Sequence, residues 1–511
     1  MDPIQLSIFS SRIEAVCDEM GAVLKRSAFS PNIKDRLDFS CAVFDPQGNL
    51  CAQAAHIPVH LGSMTYAMAD IVAQVEWAQG DMVVVNDPYL GGTHLPDVTV
   101  IAPVFYDQQL QGFVANRAHH ANIGATSPGS MPISSTLEEE GIIIPPTHIQ
   151  RDGQLDHEVL RQLTGGREDL RAQGDFTAQV SANSVGVKRL LDLISGLGEA
   201  YASGLNELND YAERLARANY QQIPDGIYRF QDVMDDDGQG NYEITIALSL
   251  SVDQGNIHLD FGGTSAQVAG NINCPLSVAA AAAFYVFRCL LPPQALACAG
   301  TFRPITLAAP EGCLVNACRP AAVAAGNVET STRMVDVVLG ALAQAVPEKI
   351  PAASHGSMNN VAMGAETSET YPAWDYYETI GGGMGASALG PGGSCRQTHM
   401  TNTLNTPIES LESHYPLRIL RYQQRRGSGG EGHFDGGDGI VREYQFLQPA
   451  QVTLLTERRR HAPWGIDAAN GQPGNNYLNG QPLAGKICVD LIEGDRLTIE
   501  TPGGGAWSTS S

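Results

Sequence analysis

The chain has 511 residues, which at roughly 150 residues per core leads us to expect about three domains. Its 31 basic and 55 acidic side chains give a formal net charge of −24, a field that repels a nucleic-acid backbone and an anionic membrane surface. Hydrophobic residues make up 43 % and charged ones 17 %, a globular composition, and no uncharged apolar run reaches the roughly 18 residues that span a bilayer.

The start, Met1-Asp2-Pro3-Ile4, has no basic leader, so the expectation is a cytoplasmic protein with no membrane and no nucleic-acid partner. Asp2 and Pro3, followed by Ile8, Ile13, Val16, Cys17, Met20, Val23 and Leu24, predict a capped amphipathic helix. Residues 38–44 and 50–55 are β-rich and flank Asp45-Pro46-Gln47-Gly48, which predicts a hairpin. A second hairpin is predicted from 98–106 and 112–118 across a short polar connection, with Asp97 and His119 at its open end. Residues 169–219 carry apolar positions at helical spacing and close the expected N-terminal domain, 1–220. From 221 to 511 we expect a second region with strands at 228–233, 242–252 and 257–261. Helices at 276–291 and 328–345, glycine-rich segments between 381 and 439, and further strands at 440–446, 451–456 and 497–500 complete it, with two subdomains allowed. Strands that come in hairpins and not in βα alternation predict an α+β fold of mixed or antiparallel sheets with packed helices.

Five histidines, His56, His60, His94, His119 and His120, fall within the first 120 residues beside Asp35, Asp38, Asp87 and Asp97. Antiparallel pairing in the second hairpin sets Asp97 opposite the region around His119, and in the first it sets Asp38 opposite the neighbourhood of His56. Imidazoles with carboxylates suit zinc, manganese or iron(II) and leave a position for water. The same residues also suit ordinary hydrogen bonding under a sheet edge, so the pattern alone leaves both readings open. His119 and His120 alternate across a strand, so only one of them can face such a site.

Other motifs read as structure. Residues 381–385 form no phosphate loop and are expected to be tight backbone packing, which leaves the chain without an ATP site of its own. Asp235-Asp236-Asp237-Gly238 lacks the later ligands of a calcium loop and is expected to be a hairpin turn. The basic run 457–461 is expected to be a solvated or interface edge. The ten cysteines, without a C-x-x-C pair, are expected to be reduced and mostly buried.

Several ordered blocks resemble the hydantoinase B family, which includes the second half of 5-oxoprolinases, the caprolactamase beta subunit and, more distantly, acetone and acetophenone carboxylase subunits. The blocks are Lys34-Asp35-Arg36-Leu37-Asp38-Phe39-Ser40, His56-Ile57-Pro58-Val59-His60-Leu61-Gly62-Ser63-Met64, Asn86-Asp87-Pro88-Tyr89, Gly91-Gly92-Thr93-His94-Leu95-Pro96-Asp97 and Arg117-Ala118-His119-His120-Ala121-Asn122-Ile123-Gly124. Gly326-Asn327-Val328-Glu329-Thr330-Ser331, Asn402-Thr403-Leu404-Asn405-Thr406-Pro407-Ile408-Glu409 and Thr501-Pro502-Gly503-Gly504-Gly505 follow in order.

The resemblance implies a multi-domain hydantoinase B-like fold and a catalytic metal site of Asp38, His94, Asp97 and His119. His56, His60, His120 and Asn122 are left as supporting or substrate-contacting candidates. Relatives often carry aspartate where this chain has Asn122. The resemblance also implies a hydantoinase A-like partner holding ATP with magnesium, and a small cyclic amide substrate (hydantoin, 5-oxoproline or lactam) opened by a hetero-oligomer. Pro128-Gly129-Ser130-Met131-Pro132 and Glu139-Glu140-Gly141 look closer to the oxoprolinase and hydantoin-hydrolysing relatives. A subunit of an ATP-dependent ketone carboxylase and a non-catalytic scaffold with a structural metal remain the alternatives.

Overall fold

The first helix, α1 (Pro3–Ser27), begins as its sequence dictates. Asp2 accepts from Gln5 N at 2.8 Å while Gln5 Oε1 accepts from Asp2 N at 3.1 Å, so two orphan donors are satisfied before Pro3 starts the first turn. Its buried stripe runs through Phe9, Ile13, Val16, Cys17, Met20 and Leu24, with Ile8 left exposed. The structure is a computed structural model and describes residues 1–54, 57–125, 127–165, 170–369 and 372–508.

After the short α2 (Pro31–Lys34) come the strands β1 (Phe39–Phe44), β2 (Leu50–Ala54), β3 (Met82–Val85), β4 (Asp97–Tyr106), β5 (Gln109–His119), β6 (Thr147–Arg151) and β7 (Gln154–Leu155). They form a seven-stranded antiparallel sheet in the order β2-β1-β5-β4-β3-β6-β7. Side-chain alternation sends Phe39, Cys41, Val43, Val98, Val100 and Val114 into one core with α1, α5 (Leu170–Leu197) and α6 (Ala200–Tyr220). Ala42, Phe44, Ile101, Phe113 and Ala115 face the other way onto Met64, Met68 and Ile71 of α3 (Pro58–Ala73). The short α4 (His157–Leu163) precedes α5.

The second region opens with β8 (Gly226–Asp236), β9 (Tyr242–Asp253), β10 (Asn256–Asp260) and β11 (Ile305–Ala308), which make a four-stranded sheet in the order β11-β10-β9-β8. Only β10 and β11 pair in parallel. Asp237 makes the expected turn between β8 and β9, accepting from Gln239 N at 2.8 Å and Asn241 N at 3.0 Å. The alanine-rich α7 (Leu276–Cys289) packs against α3, where a side chain at Gly62 would lie 2.4 Å from Ala281 Cα. The predicted 328–345 helix is a π turn (Gly326–Thr330) leading into α8 (Ser331–Ala343).

The remaining strands are β12 (Asn360–Ala365), β13 (Trp374–Glu378), β14 (Leu417–Arg425), β15 (Gly439–Phe446), β16 (Ala450–Leu455), β17 (Asn475–Leu478), β18 (Gln481–Leu483), β19 (Lys486–Leu491) and β20 (Arg496–Glu500), with α9 (Ile408–His414) before β14. They complete the chain as two antiparallel sheets, β13-β12-β16-β19 and β14-β15-β20-β17-β18. Val361, Met363, Tyr444, Val452, Leu454 and Leu497 from both sheets share one core. The glycine-rich segments are close backbone packing, as expected. A Cβ at Gly383 would sit 1.9 Å from Gly437 O, and one at Gly504 2.0 Å from Met384 O.

The basic run 457–461 corrects its expectation. Glu457 and Arg458 at its start are 0 % and 1 % exposed, and only its end, with Arg460 exposed, is a solvated edge. Arg458 bonds Asp336 at 2.6 Å and Asp232 at 2.7 Å, while Glu457 receives Arg333 at 3.1 Å and Lys486. The carboxylates that neutralise the run come from β8 and α8, more than a hundred residues away in sequence, where a local window cannot see them. Six of the ten cysteines are buried, and all ten are free thiols. No helix among the described residues is long and apolar enough to cross a membrane.

Candidate metal centre

Asp97 opens β4 and His119 ends β5, and the two are direct partners in the antiparallel register, so both side chains leave the same face at the hairpin mouth. His119 Nδ1 lies 3.4 Å from Asp97 Oδ1. His94 comes from the loop before β4. Gly91 there adopts φ +88°, and a Cβ on it would lie 1.8 Å from Ala67 Cβ, so only glycine lets the loop fold down on α3. Asn86 braces the loop, donating to Leu95 O and Ile142 O, each at 2.9 Å, and accepting from Ile144 N at 2.7 Å. His94 Nε2 thereby sits 3.4 Å from Asp97 Oδ2.

The first turn of α3 brings His60, whose Nε2 is also 3.4 Å from Asp97 Oδ2 and whose Nδ1 meets Ser40 Oγ at 3.1 Å. Asp38 is fixed just ahead of β1 by its amide on Asn32 O, and its carbonyl accepts from His119 N at 3.0 Å. Its side chain lines the same cavity. His120 points to the opposite face, as alternation requires, with Nε2 2.8 Å from Gln179 Oε1 and its ring against Phe176. Asn122 turns away to donate to Asp375 at 3.0 Å. His56 lies outside the described residues.

The cavity encloses ≈ 20 Å³, and half of its wall was invisible to sequence reasoning. Val328 and Asn327 come from the π turn, Tyr377 and Thr379 from β13 and its end, and Met358, Met400 and Thr401 from loops. Tyr377 stacks on His119 with centroids 4.8 Å apart and planes within 9°, and its hydroxyl donates to Asn360 at 2.6 Å. Asn327 Nδ2 donates to Asp97 Oδ2 at 3.4 Å, and Thr93 Oγ1 donates to the same oxygen. The blocks 326–331 and 402–409 signalled themselves only as family resemblance, without a role.

Within 4 Å, every ion-pair partner of Asp97 among the described residues is a histidine. Burial works to raise this carboxyl, but the fields of His94 and His60, with hydrogen bonds from His119 and His60, hold it well below the usual carboxylate range. Burial also lowers both imidazoles. His119 ends below its ordinary value, whereas Asp97, the Ala324 carbonyl and Glu140 lift His94 above it.

The donor set fits a divalent cation on the structure's own terms. His94 Nδ1 is 3.2 Å from Ala324 O, and a carbonyl only accepts, so Nδ1 carries the hydrogen. With Nδ1 so committed, His94 Nε2 faces a carboxylate oxygen without a hydrogen-bond partner, a contact that a cation between them satisfies. His94 Nε2 and His119 Nε2 are buried without a hydrogen-bond partner. One donor atom each from His94, Asp97 and His119 falls within 4.8 Å of the others, the only such cluster among the described residues.

The family profile described as hydantoinase B/oxoprolinase matches residues 2–510. The chain is 38 % identical to 5-oxoprolinase 1 of Arabidopsis thaliana over its full length, and spans 42 % of that longer protein. It is 32 % identical to a Pseudomonas protein named as the B component of a D-/L-hydantoinase, covering 96 % of this chain and 86 % of that one. Among solved structures, ATP-dependent caprolactamase from Pseudomonas jessenii superposes with a TM-score of 0.91 at 27 % identity, over 99 % of this chain and 91 % of that one. A nucleotide-free acetone carboxylase shares the fold at TM-score 0.88 and 17 % identity, over 99 % of this chain and 76 % of that one. With a profile match running almost end to end, the chain belongs to the hydantoinase B/oxoprolinase family.

Proposed function

We propose that this chain is the metal-bearing subunit of an ATP-dependent cyclic amide hydrolase. It opens a hydantoin, 5-oxoproline or lactam ring in a hetero-oligomer with a hydantoinase A-like partner that holds ATP and magnesium. The observation that carries the reading is the buried Asp97 carboxylate whose ion-pair partners among the described residues are all imidazoles, with His94 Nε2 3.4 Å from it and without a hydrogen-bond partner. In this reading residues 1–220 supply the metal ligands, and residues 221–511 supply the far wall of the cavity.

Asp97, His94 and His119 would hold the ion, with Asp38 and His60 beside them. A zinc, manganese or iron(II) ion bound there supplies Lewis acidity to an amide carbonyl and to water. The remaining work belongs to the chain. Ala324 O fixes the His94 tautomer, Ser40 the His60 ring and Tyr377 the plane of His119, so the nitrogens are set before substrate arrives. Ile57, Val59, Val328, Met358 and Met400 line the cavity with apolar surface, which lowers the local dielectric and strengthens each polar contact inside.

Co-expression with a hydantoinase A-like subunit tests the proposal, by metal analysis and a screen of 5-oxoproline, hydantoins, caprolactam and ketones with ATP. The expected result is a divalent cation on this chain and ATP-dependent opening of one cyclic amide. Ring opening by the isolated chain without ATP contradicts the two-subunit reading, and consumption of a ketone with bicarbonate contradicts the substrate class.

A further inference from the structure

Asn327 is the one neutral amide in the cavity wall, and its surroundings fix its orientation. Its Nδ2 donates to Asp97 Oδ2 at 3.4 Å, and the flipped orientation would set the amide oxygen against a carboxylate. Oδ1 therefore points the other way. It is buried, in a residue 3 % exposed, with no hydrogen-bond partner. An acceptor left this way is unfavourable in the interior, and a donor placed beside it relieves the cost.

The backbone that carries Asn327 is held with unusual care. Residues 326–330 form a π turn, a widening that places an extra side chain on the inner face and recurs at functional sites. Ala325 N and Gly326 N both donate to Asn271 O at 3.0 Å, and a Cβ at Gly326 would lie 1.8 Å from Asn273 O. Two residues upstream of Gly326, Ala324 O holds the His94 ring. One short segment thus fixes both an imidazole of the candidate centre and the amide facing it.

The size of the cavity selects the donor. At ≈ 20 Å³ it takes a water-sized donor, and, being open on one side, it lets a ring reach it at its mouth. We propose that Asn327 Oδ1 accepts a hydrogen bond from a single water held in this cavity opposite Asp97, and that this water is the nucleophile of ring opening. The inference rests on the cyclic amide reading given above. In the step, the water oxygen bonds to the ring carbonyl carbon and the ring C–N bond breaks. One water proton ends on the released nitrogen and the other on the new carboxyl group, from which it dissociates. By accepting one water hydrogen, Asn327 turns a lone pair toward the carbonyl, and it touches the reacting atom without supplying charge.

Two substitutions separate the oxygen from the rest of the residue. Asn327→Leu keeps the volume and removes the acceptor; Asn327→Gln keeps a neutral amide at the site and adds no charge. The full chain of each variant is loaded with Mn2+, its affinity is titrated, and the exchange of bound water is read from the relaxation of solvent protons. The expected result is slow exchange in the wild type, exchange about tenfold faster in Asn327→Leu, the loss of one hydrogen bond, and exchange nearer to the wild type in Asn327→Gln. In the complex, Asn327→Leu lowers kcat about 100-fold with KM nearly unchanged. Equal water exchange in wild type and Asn327→Leu overturns the inference and leaves the proposed function standing. Failure of the wild type to bind Mn2+ more tightly than Asp97→Ala overturns the proposed function itself.

Discussion

Asp97 is 1 % exposed and His355 is also 1 % exposed, but the fold treats the two buried groups differently. Asp97 sits among imidazoles that stabilise its charge. His355 has no charged partner to stabilise its proton, and burial, with His399 nearby, pushes its imidazole down to about 3 from an ordinary 6.5. Below pH 6.5 the unfolded chain takes up a proton that the folded chain refuses, so His355 withdraws stability as pH falls toward 3 and has no such effect above 6.5. Relative to wild type, His355→Gln should therefore gain about 1.4 kcal/mol of unfolding free energy for each pH unit between 6 and 4. Denaturant titrations at pH 7, 6 and 5 check this, and an unchanged gap between the two proteins at pH 7 and pH 5 contradicts it. At this scale the pairing of Asp97 with His119 was legible because a hairpin turn fixes the register by counting. The nearness of His60 to Asp97 was not, because nothing in its own segment says which way the first turn of α3 faces.

Elements were legible where one face is wet. The stripe of α1 and the alternation in β9 show the period of their burial, whereas the hairpin β4–β5, buried on both faces along most of its length, was legible from the short polar connection that turns it. Helix α3 buries Val59, Met64, Met68, Ile71 and Val72 at helical spacing, but its exposed face carries Tyr66, Ala69 and Ala73, so the apolar-to-polar contrast is weak and the sequence assigns it no helix. Strand β13, which carries Tyr377, is likewise two short steps of aromatic residues whose role depends on a partner sheet. Helix α5 docks on the hairpin through amides: Gln179 donates to Val98 O and Asn183 to Val100 O, both at 2.9 Å, and Asn183 Oδ1 accepts from Asn116 at 2.8 Å. Asn183→Leu leaves the Val100 carbonyl and one Asn116 hydrogen without these partners, and should lower the unfolding free energy by about 1–3 kcal/mol. Thermal or urea unfolding reads this directly. A loss below about 0.5 kcal/mol, smaller than a typical net hydrogen bond, would show that the amide ladder is dispensable.

At the scale of the molecule, the candidate centre is shared across the chain. Asp38, His60, His94, Asp97 and His119 come from the first 120 residues, while Asn327, Met358, Tyr377 and Met400 close the cavity from beyond residue 221. The far wall was not legible because its residues meet the metal candidates only through tertiary contacts more than two hundred residues apart. The C-terminal sheets are tied to β8 and α8 by buried charge, with Glu457 receiving both Arg333 and Lys486. Lys486→Met removes one partner of a buried carboxylate and should cost about 3–5 kcal/mol, whereas the double change Lys486→Met with Glu457→Leu should recover part of it. A double variant that shows only the sum of the two single losses contradicts that coupling. The most direct test of the whole account is the divalent cation content of the purified complex together with its ATP-dependent ring opening, compared between wild type and His119→Ala at equal subunit assembly. The account predicts about one cation per chain and ring opening in the wild type, both lost together in the variant; ring opening that survives the loss of the cation would contradict it.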